Sequence, residues 1–185
     1  MLFSSLTFVW FFLPALALIY YLAPGRKLKN AVLLIASLLF YSWGEPRYVA
    51  LVLLSILFNY LFGLAIGKAG GRKGLRRAAL AVCVGANLCL LGYFKYFNFF
   101  LELAYTVLGK EGFTPRNIAL PIGISFYTFQ AVSYIADIYR GVKPVQKNIF
   151  RLALYISLFP QILSGPIVKY NELEPQIEGR RESIS

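Results

Sequence analysis

Six apolar runs divide the sequence, at residues 2–23, 30–43, 48–66, 78–94, 120–139 and 152–168. A helix needs about 20 apolar residues to span the roughly 30 Å hydrocarbon core of a bilayer. Only helices and closed barrels satisfy their backbone groups there, and no strand-rich region occurs in the sequence. The runs predict an all-α integral membrane protein with about six membrane helices. Composition agrees: charged residues make up 15% of the chain, against about a quarter in a soluble domain, and the mean hydropathy is +0.63. So few polar groups could not cover a water-facing surface.

The net charge of +11 sits in the loops. No separate basic domain exists, so nucleic acid is not an expected partner, and the positive-inside rule accounts for the excess. Arg26, Lys27 and Lys29 follow the first run, and residues 68–77 carry five cations and no acid. Between them, Gly44-Glu45-Pro46-Arg47 carries one charge of each sign. This alternation puts the basic loops in the cytoplasm and the N-terminus outside, in the inner membrane of the cell. No cation precedes Arg26, so the first run is expected to be a retained helix rather than a signal peptide.

The fourth run should return outward and end near Phe94. An aromatic-rich interfacial helix and loop over 95–117 should follow, broken by Gly109, Gly112 and Pro115. The fifth run has Pro121 placed for a first helical turn. Pro160 and Gly165-Pro166 interrupt the sixth, which is expected to be kinked or re-entrant. Residues 1–170 form the membrane domain. Residues 171–185 form a polar tail or the start of a further segment, with Pro175 as a breaker.

Polar residues inside a bilayer are costly, so their positions carry information. Gln130, Ser133 and Asp137 share one helix face; Ile124, Ala131, Ile135 and Ile138 take the opposite face, against lipid or apolar neighbours. Ser157, Gln161 and Ser164 form a second stripe if the helix continues through Pro160. Two readings stay open: a shared tunnel or cavity, or interhelical hydrogen bonds that hold the bundle together. Asp137 is the one acid inside a run, and Arg140 three residues on is its expected partner. An ion-coupled transporter would use Asp137 for coupling. Gly63 and Gly67 make a G-x-x-x-G match that permits close helix approach. Cys83 and Cys89 lack metal or redox spacing and are expected to pack. No metal site can be assembled. With no His in the chain, a Ser-His-Asp triad and any His general base are excluded for this chain acting alone.

Three stretches resemble the membrane-bound O-acyltransferase family, in the branch of alginate O-acetyltransferases and the D-alanyl transfer protein of teichoic acids. They are Leu120-Pro121-Ile122-Gly123-Ile124-Ser125-Phe126-Tyr127-Thr128-Phe129-Gln130, then Ser133-Tyr134-Ile135-Ala136-Asp137-Ile138-Tyr139-Arg140-Gly141, then Phe159-Pro160-Gln161-Ile162-Leu163-Ser164-Gly165-Pro166-Ile167. The opening Met1-Leu2-Phe3-Ser4-Ser5 and the turn Phe40-Tyr41-Ser42-Trp43-Gly44 are similar too.

The resemblance implies a larger helix ring around a tunnel. It also implies transfer of an acyl group, expected to be acetyl, to hydroxyls of an exported polysaccharide such as alginate. The donor would be an acyl-CoA or acyl-carrier species, with no bound cofactor. Partners would be membrane lipid, the polysaccharide and the other proteins of an acetylation system. Ser125, Tyr127, Gln130, Ser133, Asp137, Arg140, Ser157, Gln161 and Ser164 are the candidates for the tunnel wall or substrate path. The family's catalytic His lies in a C-terminal half to which nothing here corresponds, so the resemblance covers the N-terminal part only. A fragment, a truncated gene or a partial sequence is expected, inactive alone. The alternative is a non-enzymatic partner or conduit protein.

Overall fold

The computed structural model describes residues 6–109, 114–164 and 168–179, and for Leu163 and Ser164 the backbone alone. Residues 1–5, Gly112, the Gly165-Pro166 break and residues 180–185 lie outside the described residues. Within them every regular element is helical.

The first run opens with a π-helical turn, Phe8–Phe12, and continues as α1, Leu13–Leu22. Pro14 explains the wide turn. Its ring would collide with the carbonyl four residues back and it has no N–H to give. Leu13 N–H instead reaches the carbonyl of Phe8, five residues earlier.

Helix α2 is Gly25–Gly44. It starts before the apolar run and takes Arg26, Lys27 and Lys29 into its first turns, where their stems can lie along the helix while the charges reach water. Glu45 leaves helical geometry ahead of Pro46, as a residue before proline should, and a 3-10 turn at Pro46–Tyr48 leads into α3, Val49–Lys68.

Helix α4 runs unbroken over Lys73–Val107, 35 residues and about 50 Å at about 1.5 Å per residue. The separate interfacial helix expected after Phe94 is therefore a continuation of the fourth run. Nothing between 94 and 107 breaks a helix, and rings four apart meet at a tilt along its surface, Tyr93 with Phe97 and Tyr96 with Phe100. The first stop is Gly109, at φ +63. The loop behind it is pinned to α4 by a reciprocal pair, Asn98 Nδ2 to the Arg116 carbonyl at 2.8 Å and Arg116 N–H to Asn98 Oδ1 at 3.0 Å.

Helix α5, Ile124–Arg140, is the centre of the fold. It packs on α3 and α4 on one side and on α6, Ile149–Ser157, α7, Phe159–Ser164, and α8, Tyr170–Gly179, on the other. Pro121 does not sit in its first turn. Gly123, at φ +75, takes a left-handed conformation and starts the helix three residues later than expected from the proline. All four residues of its apolar face, Ile124, Ala131, Ile135 and Ile138, are buried against protein rather than lipid. Helix α8 retains Pro175 inside it, because burial of Tyr170, Leu173 and Ile177 holds the helix on the bundle.

The G-x-x-x-G match is used. A Cβ on Gly63 would come 2.6 Å from the Tyr134 hydroxyl, and one on Gly67 would collide with Val145. Close approach of α3 to α5 and its following loop thus depends on these two positions. Gly63→Ala is expected to cost about 1–3 kcal/mol, since the Tyr134 ring it meets is fully buried against Tyr170. Thermal unfolding in detergent micelles measures it.

Large apolar side chains stay exposed over the first π-helical turn, α1, α3 and α4, among them Trp10, Phe11, Leu18, Leu54, Leu61 and Phe100. Water-soluble monomers rarely expose apolar surface so continuously. Residues Pro46–Lys68 and Lys73–Val107 are each long and apolar enough to cross a membrane. The molecule is a helical membrane protein.

Candidate functional site

The central feature is a polar seam where α5 meets α6 and α7. Gln130, almost fully buried, donates from Nε2 to Gln161 Oε1 at 3.0 Å. One residue comes from each predicted stripe, and what joins them is a direct interhelical hydrogen bond. One turn along α5, Ser133 lies beside the Tyr155 hydroxyl, with Asp137 in the same neighbourhood. The Tyr155 hydroxyl itself donates to the carbonyl of Val168 at 3.0 Å.

The second stripe is not continuous. The helix breaks at Leu158, not at Pro160, which falls instead in the first turn of α7, where a missing N–H costs nothing. Ser157 therefore turns away from Gln161 and bonds the Ala153 carbonyl of its own helix at 2.8 Å. The break is held by a residue from another element. The Ser37 hydroxyl donates to Leu33 O at 2.7 Å and accepts the Phe159 N–H at 3.2 Å, satisfying a donor that would otherwise be orphaned at the helix start. Phe8, Phe12, Phe40 and Phe159 form a ring cluster beside it, mostly edge-on or tilted, with centroids 5.3–6.1 Å apart.

The remaining predicted residues divide. Tyr127 is fully buried, and Ser125 is half-buried near the start of α5. The side chain of Ser164 lies outside the described residues. The expected ion pair between Asp137 and Arg140 does not form. Gly141, left-handed at φ +73, ends α5 just beyond, where Arg140 is exposed, while Asp137 is buried with Oδ2 unpartnered. The cation serving this helix end is Arg76 of α4, whose Nη2 donates to the Tyr139 carbonyl at 2.7 Å. A guanidinium on the last carbonyls also suits the negative end of the helix dipole.

Helix α5 also carries hydrogen-bonding capacity that the described residues leave unused. Tyr127 Oη, Thr128 Oγ1, Gln130 Oε1 and Asp137 Oδ2 are buried without a partner. Each such atom costs on the order of 1–3 kcal/mol. All four lie on α5.

Several residues of the seam gave no sequence signal. Tyr134, Tyr155 and Tyr170 form an aromatic contact, with centroids 4.9 Å and 5.2 Å from Tyr170. Gln146, in the loop after α5, donates to Tyr170 Oη at 3.2 Å and to Glu178 Oε1 at 3.3 Å. Burial pushes the Tyr170 hydroxyl up to about 12, with the Gln146 bond opposing, so it stays protonated at physiological pH. Ion pairs tie α8 down: Lys143 to Glu174 at 2.6 Å, and Arg151 to Glu178. A second polar group joins α3 to α4. Asn59 Nδ2 donates to Asn87 Oδ1 at 3.2 Å, Asn87 Nδ2 to Asn59 Oδ1 at 3.0 Å, and Cys83 Sγ to Asn59 Oδ1 at 3.3 Å. The Asn within the third run was the available signal.

The fold and the seam define a helical membrane protein with a polar interior on its central helix. Over all of its length the chain is 40% identical to a probable alginate O-acetylase of Pseudomonas syringae and 41% to one of Azotobacter vinelandii, covering 36% and 37% of those proteins. A peptidoglycan O-acetyltransferase of Helicobacter pylori is 31% identical over 97% of the chain, which covers 39% of that protein. The chain thus spans a little over a third of the length of the curated relatives it matches. No family model matches it. No solved structure matches it. Along its whole length the chain is similar to the N-terminal part of the alginate O-acetylases.

Proposed function

We propose that the chain is the N-terminal part of a membrane-bound O-acyltransferase that moves an acyl group, acetyl in the first instance, to hydroxyls of an exported polysaccharide such as alginate. The observation that carries this is the match at 40–41% identity along the whole chain to alginate O-acetylases. The Gln130–Gln161 bond adds support, since it joins two of the stretches that carry the family resemblance. In this reading Ser125, Tyr127, Gln130, Ser133, Asp137 and Gln161 belong to the wall of a substrate path. The unpartnered atoms of Tyr127, Gln130 and Asp137 supply its polar surface. The general base that takes the proton of the acceptor hydroxyl is a His outside this chain, which has none.

The proposed arrangement has about six membrane segments in the inner membrane, the last one broken at Leu158. The N-terminus lies outside, and the loops around Lys27, Arg72 and Arg151 lie in the cytoplasm. The donor is an acyl-CoA or acyl-carrier species, and the partners are the other proteins of the acetylation system.

The test expresses the chain alone and, in parallel, joined to the coding frame downstream of Ser185, in cells that make the polysaccharide. O-acetyl content of the polymer is measured by NMR. The longer product should acetylate, and the chain alone should leave the polymer at background. Robust acetylation by the chain alone overturns the assignment of the base. A downstream frame without any His in an apolar helix favours the partner or conduit reading.

A further inference from the structure

A cleft of about 580 Å³ opens between α2, the start of α6 and the end of α8. Its lining has two zones along α2. Arg26 and Lys27 stand at the mouth, joined by Arg151 from α6, against the single carboxylate of Glu178. Deeper along the same helix face, at successive four-residue steps from Lys27, come Ala31 and Ile35. At about 1.5 Å per residue, Ile35 lies about 12 Å below Lys27 along the axis.

Ile35 is 58% exposed, and Phe150, on the opposite lip, is 69% exposed. Exposed Leu28 and Leu39 extend the same apolar belt along α2. In the six-segment arrangement proposed above, on which this inference rests, the cleft opens sideways to hydrocarbon and its cationic mouth stands at the level of the headgroups. An acidic peptide would satisfy the mouth and leave the lower wall uncovered. A neutral lipid would do the reverse. Only a molecule with an anionic head and a hydrocarbon tail matches both zones.

We propose that this cleft binds an anionic phospholipid, its phosphate at Arg26 and Lys27 and one acyl chain along Ile35 and Phe150. Each cation near a membrane surface is worth about a fivefold gain in affinity for an anionic headgroup. Arg26 is partly engaged, through Nη1 and the Glu178 carbonyl at 2.9 Å. Arg151 is paired with Glu178. Lys27 makes no hydrogen bond or ion pair among the described residues, so it is the cation most available to a lipid and the one whose replacement least disturbs the fold.

The experiment titrates the full chain in detergent micelles with dioleoyl phosphatidylglycerol or dioleoyl phosphatidylcholine and counts bound lipid by native mass spectrometry. Phosphatidylglycerol should bind in preference. Lys27→Glu should weaken it by about fivefold or more while leaving phosphatidylcholine unchanged. Phe150→Ala should weaken both. The thermal midpoint in lipid-free micelles confirms that each variant is folded. Equal binding of the two lipids, or an undiminished preference in folded Lys27→Glu, overturns the proposal. Displacement of phosphatidylglycerol by equimolar inorganic phosphate also overturns it, since the site would then take a free anion.

Discussion

Gly123→Ala is expected to lower stability by about 3 kcal/mol and to leave little folded protein after extraction into detergent. Two costs add. The backbone at φ +75 is left-handed, where an L side chain costs on the order of 1–2 kcal/mol. A Cβ there would also run into the backbone carbonyl oxygen of Ile162, and a backbone cannot swing aside as a side-chain tip can. Relieving that overlap costs on the order of 1–3 kcal/mol. The displaced element is α7, so the Gln130–Gln161 bond should break as well. Gly85→Ala is the matched control. It lies inside α4 with nothing within 4 Å of the added methyl, and should be stabilising by about 0.5–1 kcal/mol. Opposite signs for the two glycines, read from unfolding by increasing SDS in mixed micelles, are the expected result. Equal effects would mean that α5 and α7 do not meet at Gly123.

The Asn59–Asn87 pair should behave as a coupled unit. Asn59→Leu alone removes both cross-helix amide bonds and leaves part of the Asn87 amide unpaired between apolar helices. A loss of about 1–2 kcal/mol is expected. Asn87→Leu should cost a similar amount. The double variant Asn59→Leu with Asn87→Leu should be more stable than the sum of the two losses predicts, because no orphaned amide remains. The same SDS titration gives the coupling energy. Strict additivity would show that the two amides do not act together.

Both predictions turn on contacts that no local pattern contains. Apolar runs separated by basic loops made the membrane class plain, since hydrocarbon demands apolar helices and anchored charge. Periodicity placed Gln130 and Asp137 on one face, because that spacing depends on helix geometry alone. The glycine spacing at 63 and 67 flagged a close approach. What periodicity could not supply was the far partner. Nearness in sequence pairs Asp137 with Arg140, yet Gly141 ends the helix there and Arg76 of α4 closes it. Residues 95–117 read as an interfacial helix and loop because their composition changes, although composition does not stop a helix and no breaker comes before Gly109.

The sequence by itself determined that this chain lies in a membrane, which loops carry its charge, and which family's N-terminal part it matches. Those properties depend on composition, on spacing along one chain and on identity to relatives. The tertiary structure alone decided which polar groups meet. Gln130 finds Gln161, Ser37 caps Phe159, Gln146 joins Tyr170, and Lys27 stands above Ile35 at the mouth of a cleft with Phe150. The physical reason is that a buried polar group must be satisfied by whichever partner packing brings within about 3 Å, and packing is a property of the whole bundle.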